Sequence, residues 1–171
     1  MFENSFAEVG EEVVRVIDKD YEREAVCIRS LIELAKQGET VRLLGKGISM
    51  RPLLRDGKDY IDLVAVTEDV PLRRGDVVLY LSDGVYVLHR IHRIRKDMYA
   101  MLGDGNLHIE PYLPRDQIFL KAVGYVRRGR SISAEDWRLR LYGWVWMRLR
   151  IVRPIIWKIL YHWNKWRERG H

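Results

Sequence analysis

The sequence holds a single cysteine, Cys27, which excludes an intramolecular disulfide and permits a reducing compartment without requiring one. Within "REAVCIRSLIELAK" its helical spacing reads as a small apolar core position. A secretory signal is not recognisable either: "MFENSFAEVGEEVVRVIDKD" is acidic where such a signal starts basic, and charge interrupts its apolar residues. No internal repeat and no low-complexity tract occurs, which excludes a solenoid. A composition of 47% hydrophobic and 11% aromatic residues suits a folded body, and 171 residues fit one domain with a terminal appendage.

Net positive charge is absent from most of the chain. Residues 136–171 hold nine Lys/Arg against Asp136 and Glu168, leaving 21 basic and 22 acidic residues in 1–135. A nucleic-acid binder would spread its charge over the folded body, so nucleic acid is not an expected partner. A local anionic partner for the tail is expected instead, either a membrane surface or an acidic protein.

Apolar periodicity divides the chain into three parts. Residues 1–38 read as a helical segment, with Ala25, Ile28, Leu31, Ile32 and Ala35 near the 3.6 period, a division into two helices around 19–21, and Gly38 as a stop. Residues 39–133 read as an antiparallel β body, because short Val/Ile/Leu/Tyr runs alternate with turn compositions such as "RDGKD", "RRGD" and "GDGN". "LSDGVYVLHRI" is the strongest hairpin cue, with Asp83-Gly84 at its turn and His89 on its second strand. Residues 134–171 return to helical spacing, interrupted by Pro154, as a basic, aromatic, amphipathic tail.

The stretch "LLGKGISMRPLL" sets Ser49 in a turn where Gly47 permits close backbone approach and Pro52 restrains Arg51. A hydroxyl on a rigid turn suits a nucleophile, although a plain turn serine has the same local composition. The later blocks add order to this cue. "SMRP" is followed by "RRGDVVLY", "VLHRI", "LGDGN" and "GYVRRGR". Over residues 43–130 this series resembles the signal peptidase I superfamily, which includes the self-cleaving SOS-type repressors. The similarity is greatest to the archaeal and endoplasmic-reticulum branch, which pairs serine with histidine where other branches use lysine.

The resemblance implies a mainly β, signal-peptidase-like antiparallel fold with N-terminal helices and a C-terminal amphipathic helix. It implies Ser49 as nucleophile, His89 as general base and Asp104 as the carboxylate that orients the histidine. Met50 and Pro52 would lie at the substrate, and Glu110 and Arg90 would support the site. An imidazole, ordinarily near a pKa of ~6.5, can accept a serine proton at neutral pH without the desolvation a lysine needs. His92, three residues beyond His89, is expected on the opposite, solvent-facing side of its strand. Lys46 reads as a surface or substrate-proximal charge, and Asp76 as a turn residue. His89, His92, His108 and Glu110 fit no zinc spacing, so neither a metal nor another cofactor is expected.

The chain departs from the family in two places. The residues before Ser49 carry too many charges for a membrane span, and the acidic N-terminal segment does not suit a DNA-reading helix-turn-helix. "LYGWVWMRLRIVRPIIWKILYHWNKW" offers another anchor, as an in-plane interfacial helix on an anionic membrane. Packing on the β body or on another subunit is the alternative. The expected function is a serine endopeptidase acting on a peptide or protein substrate at a leader, signal or propeptide, cytoplasmic or peripheral at the inner face of a membrane. The alternative is a catalytically inactive peptide- or partner-binding module held at a membrane by its basic helix.

Overall fold

A computed structural model describes residues 23–152. Helix α1 covers residues 23–36, and its inward stripe is Ala25, Ile28, Ile32 and Ala35. Cys27 is exposed, which corrects its expected core placement. It precedes Ile28 by one residue, a rotation of about 100° that carries it off the buried stripe. Gly38, at φ 95°, ends the helix as expected, with its N–H donating to the Ala35 carbonyl. The helical reading before residue 23, including the division around 19–21, lies outside the described residues.

The body is a single antiparallel sheet of eight strands, so the protein is mainly β with flanking helices. They are β1 (Val41–Leu44), β2 (Tyr60–Ala65), β3 (Val77–Ser82), β4 (Val85–Arg95), β5 (Met98–Leu102), β6 (Tyr112–Pro114), β7 (Ile118–Arg127) and β8 (Arg130–Ser133). Their order is β1-β2-β7-β3-β4-β5-β6, with β8 paired to β7. Alternation along β3 sends Val77 and Leu79 into one apolar cluster with Ile61, Leu63 and Leu120, and Val78 and Tyr80 into another with Ile91 and Met101. β3 is thus buried on both faces.

The Asp83-Gly84 turn forms as the sequence suggests, both residues at positive φ, and closes the β3–β4 hairpin at Ser82↔Val85. Counting back from that turn pairs Val78 with His89 and Val77 with Arg90. The pairing of β4 with β5 slips between Ile91 and Arg93, a bulge centred on His92. His92 is therefore not a surface residue: it is 6% exposed, because the bulge interrupts strict alternation where β4 runs between β3 and β5.

Helix α2 (Trp137–Arg148) begins at Asp136, whose carboxylate accepts the Arg138 N–H, and continues as a 3-10 turn over Leu149–Ile151. It lies on the β body through Gly143, Trp146 and Met147. Part of the tail thus packs as the alternative reading had it; residues 153–171 lie outside the described residues. Among the described residues no helix is long and apolar enough to cross a membrane.

Between β1 and β2 the chain makes a loop whose neck is tied by Gly45 N–H to Asp59 carbonyl (2.9 Å) and Gly57 N–H to Gly45 carbonyl (2.8 Å). The Asp59 carboxylate is fully buried and accepts from the Arg55 N–H and its guanidinium, and from the Arg128 N–H. Those hydrogen bonds, led by the Arg55 side chain and opposed by burial, hold its carboxyl at about 2. Asp59→Asn is expected to lower stability at neutral pH by about 1–3 kcal/mol, since a buried acceptor loses its charge-assisted donors. Because the native carboxyl lies below the ordinary ~3.9, its contribution is complete above about pH 4 and is lost as the pH falls through about 2. Urea midpoints should therefore separate wild type from variant at neutral pH and converge near the acid end.

Candidate active site

Residues 47–54 form consecutive turns in which Met50, Leu53 and Leu54 are buried while Ile48 and Arg51 stay exposed. The apolar side chains anchor the loop and leave Ser49, half-buried, at its crest. The Gly47 N–H donates to Asp56 at 2.9 Å, and the Leu54 N–H to the Met50 carbonyl at 3.0 Å. The Arg51-Pro52 peptide is cis.

Across from this crest lies the turn after β5. The Gly105 N–H donates to the Ser49 carbonyl at 2.6 Å, docking the two loops directly. A Cβ on Gly103 would lie 2.7 Å from the Ser49 carbonyl and 2.9 Å from His89 Nε2. Gly103 is therefore the point at which the serine loop and the histidine meet, and only a residue without a side chain fits between them.

His89 is 5% exposed on β4. Its Nδ1 lies 2.5 Å from Glu110 Oε1 and 3.0 Å from the Tyr80 hydroxyl, and Tyr80 donates a short hydrogen bond to the other oxygen of Glu110. An ionised carboxylate only accepts, and the one phenolic proton is already committed to Oε2. The Nδ1 proton must then face Glu110, so a neutral ring keeps its lone pair on Nε2. Nε2 is buried and makes no hydrogen bond, so the Ser49 hydroxyl is not on it in this conformation. Burial pushes the Glu110 carboxyl up, but hydrogen bonds from His89 and Tyr80 outweigh it and leave the group below its ordinary value. Burial, with Glu110 adding to it, raises the Tyr80 phenol and keeps it a neutral donor.

The carboxylate on the histidine is thus Glu110, not Asp104. Asp104 is bound bidentately by Arg90, at 2.9 Å from Nε and 2.8 Å from Nη2, and both residues are buried. Neighbours on a strand point to opposite faces, so His89 and Arg90 each take a different acid. Burial works against the Arg90 charge, yet Asp104 more than compensates and raises its pKa. Arg90 also donates to the Gly75 carbonyl at 2.7 Å, and Asp104 accepts from Tyr142 through its side chain and from Trp146 through its backbone carbonyl.

No protein-family model and no curated protein matches the chain. Its chemistry has to be read from its own side chains.

A cleft of about 160 Å³ runs beside Ser49, lined by Leu43, Leu44, Met50, Leu79, Tyr86 and Leu88 among others. Met50 reaches it, whereas Pro52 does not; the Pro52 carbonyl instead accepts from Arg127. Lys46 borders the cleft, paired with Glu24 of α1 at 3.2 Å. Asp76 caps its turn by accepting the Arg73 N–H and pairs with Lys121. A larger cavity of about 440 Å³ beneath α2 touches Arg90 but none of Ser49, His89 and Glu110.

Tyr80 escaped the sequence reading although the hairpin carries its signal. With Val78 opposite His89, Tyr80 lies one diagonal step away on the same face. Tyr80→Phe removes one of the two hydrogen bonds that depress Glu110, so carboxyl titration by NMR is expected to show Glu110 moving up. Stability is expected to fall by about 1–2 kcal/mol through the partly unsatisfied carboxylate. An unmoved Glu110 titration would count against Tyr80 as its donor.

Proposed function

We propose that the protein is a serine endopeptidase in which Glu110, His89 and Ser49 act in that order, on a fold of the signal-peptidase kind. The observation that carries this reading is the direction of the His89 ring: Nδ1 is committed to Glu110, and the unpartnered Nε2 lies beside Gly103, the residue of the turn after β5 that also meets the Ser49 carbonyl. In such an arrangement a rotation of the Ser49 side chain onto Nε2 delivers its proton to the ring as the oxygen attacks a peptide carbonyl. The Nε2 proton then passes to the leaving amine, and the same nitrogen activates water to release the acyl group. Glu110 holds the tautomer and stabilises the imidazolium, while Tyr80 holds Glu110. Arg90, Asp104 and Gly103 are positioning residues.

The cleft suits an extended peptide. Among the described residues, β1 pairs only with β2, and the Val85–His89 part of β4 pairs only with β3, leaving a strand edge on each side for backbone hydrogen bonds. Apolar lining from Leu43, Met50, Leu79 and Leu88 favours an apolar side chain near the scissile bond. Cleavage of a leader, signal or propeptide, by a protein peripheral to a membrane on its cytoplasmic side, is the biological role we favour.

Ser49→Ala is expected to abolish cleavage while leaving the thermal melt nearly unchanged, His89→Ala to abolish cleavage and also lower the melt, since it takes a buried donor from Glu110, and Glu110→Gln to reduce the rate by about 10²–10⁴-fold. Comparison of protein N-termini in cells expressing wild type or Ser49→Ala at matched levels provides the assay and reads out specificity. Identical profiles from two folded proteins would favour the binding-module reading of the same cleft.

A further inference from the structure

Helix α2 is apolar on two sides, and the β body covers only one. The inward side is Leu139, Tyr142, Gly143, Trp146 and Met147. The outward side holds Trp137 at 66% exposure, Leu141 at 50% and Trp144 at 52%, with Val145 beside them. Spacings of four, three and four residues from Trp137 through Leu141 and Trp144 to Arg148 place these on one stripe of the helix. Two cations flank it: the Arg148 guanidinium sits 3.7 Å over the Trp144 ring, and that of Arg138 lies 5.5 Å over Trp137.

The composition of the surrounding chain points the same way. All six tryptophans of the protein fall within residues 137–166, and residues 137–167 carry eight Lys/Arg and no acidic residue. Tryptophan and arginine are the side chains that place an apolar body in the acyl boundary and a polar group among headgroups. A protein interface would bring carboxylates or matched polar rims; a stretch with cations alone is complementary to a surface that is anionic throughout.

We propose that the outward stripe of α2, Trp137, Leu141, Trp144 and Val145 with Arg138 and Arg148, docks in plane on an anionic lipid bilayer. Because the inward side of the same helix holds Asp104 through Tyr142 and Trp146, docking fixes the orientation of the Gly103 turn, and with it the Ser49 cleft, relative to the membrane. The proposal rests on surface chemistry and stands whether or not the cleft is catalytic.

The test uses the full chain with vesicles of phosphatidylcholine alone or with phosphatidylglycerol added. Co-sedimentation is expected to rise about tenfold or more with the anionic lipid and to weaken with salt. Since every tryptophan lies in this segment, a blue shift of the emission on vesicle addition reads the same event. Trp137→Glu/Trp144→Glu should abolish sedimentation without altering the melt, and Leu141→Glu, which keeps all six tryptophans, should abolish the blue shift. Three results would overturn the proposal: binding indifferent to anionic lipid, binding that all these variants leave intact, or no vesicle binding alongside a concentration-dependent dimer that the variants dissolve.

Discussion

The buried pair of Arg90 with Asp104 is the contact on which the remaining arrangement rests. Two charges are removed from water, and the cost is offset by the bidentate geometry and the further bonds from Arg90 to Gly75 and from Tyr142 to Asp104. In satisfying one another they join four parts of the chain: β4, the turn before β3, the turn after β5, and α2. A Cβ on Gly143 would come within 2.8 Å of the Arg90 guanidinium, so the helix sits directly on this pair.

With that turn fixed, the geometry around Ser49 follows. Gly103 and Gly105 are held where the serine loop can dock by a backbone hydrogen bond, while the Asp59 knot closes the loop from its other end. His89 and Arg90, adjacent in sequence, divide the labour. Arg90 secures the architecture through Asp104 on one face of the strand, and His89 meets Glu110 and Tyr80 on the other. Arg90 and Asp104 satisfy one another, and His89 Nε2, which makes no hydrogen bond, lies beside Gly103, where the serine loop docks. Unsatisfied polar atoms in a dry site cost free energy, so they mark places where a structure waits for a ligand or a rotamer change.

Helix α2 connects this centre to the outside. Its inner side is committed to the β body and to Asp104, and its outer side presents tryptophan and arginine. The arginines of α2 lie among its exposed tryptophans, a composition that suits the interfacial docking proposed above. On the proposed docking, the helix is both a wall of the fold and a surface for attachment.

Much of the strand pattern was legible in the sequence, because alternation, the Asp83-Gly84 turn and the Gly38 stop are local properties of a few neighbouring residues. The hairpin turn even sets the register that brings Tyr80 beside His89. The charge imbalance between body and tail was equally plain. The short β6 and β8 were not, since three or four residues carry too little alternation. Cys27 and His92 went astray for related reasons: one helical residue of rotation exposes the first, and a bulge buries the second. The choice between Asp104 and Glu110 as the partner of His89 belongs to tertiary structure alone. Both acids lie after β5 at plausible distances in the chain, and only the opposite facing of His89 and Arg90, with α2 drawing Asp104 to its own side, decides which carboxylate each receives.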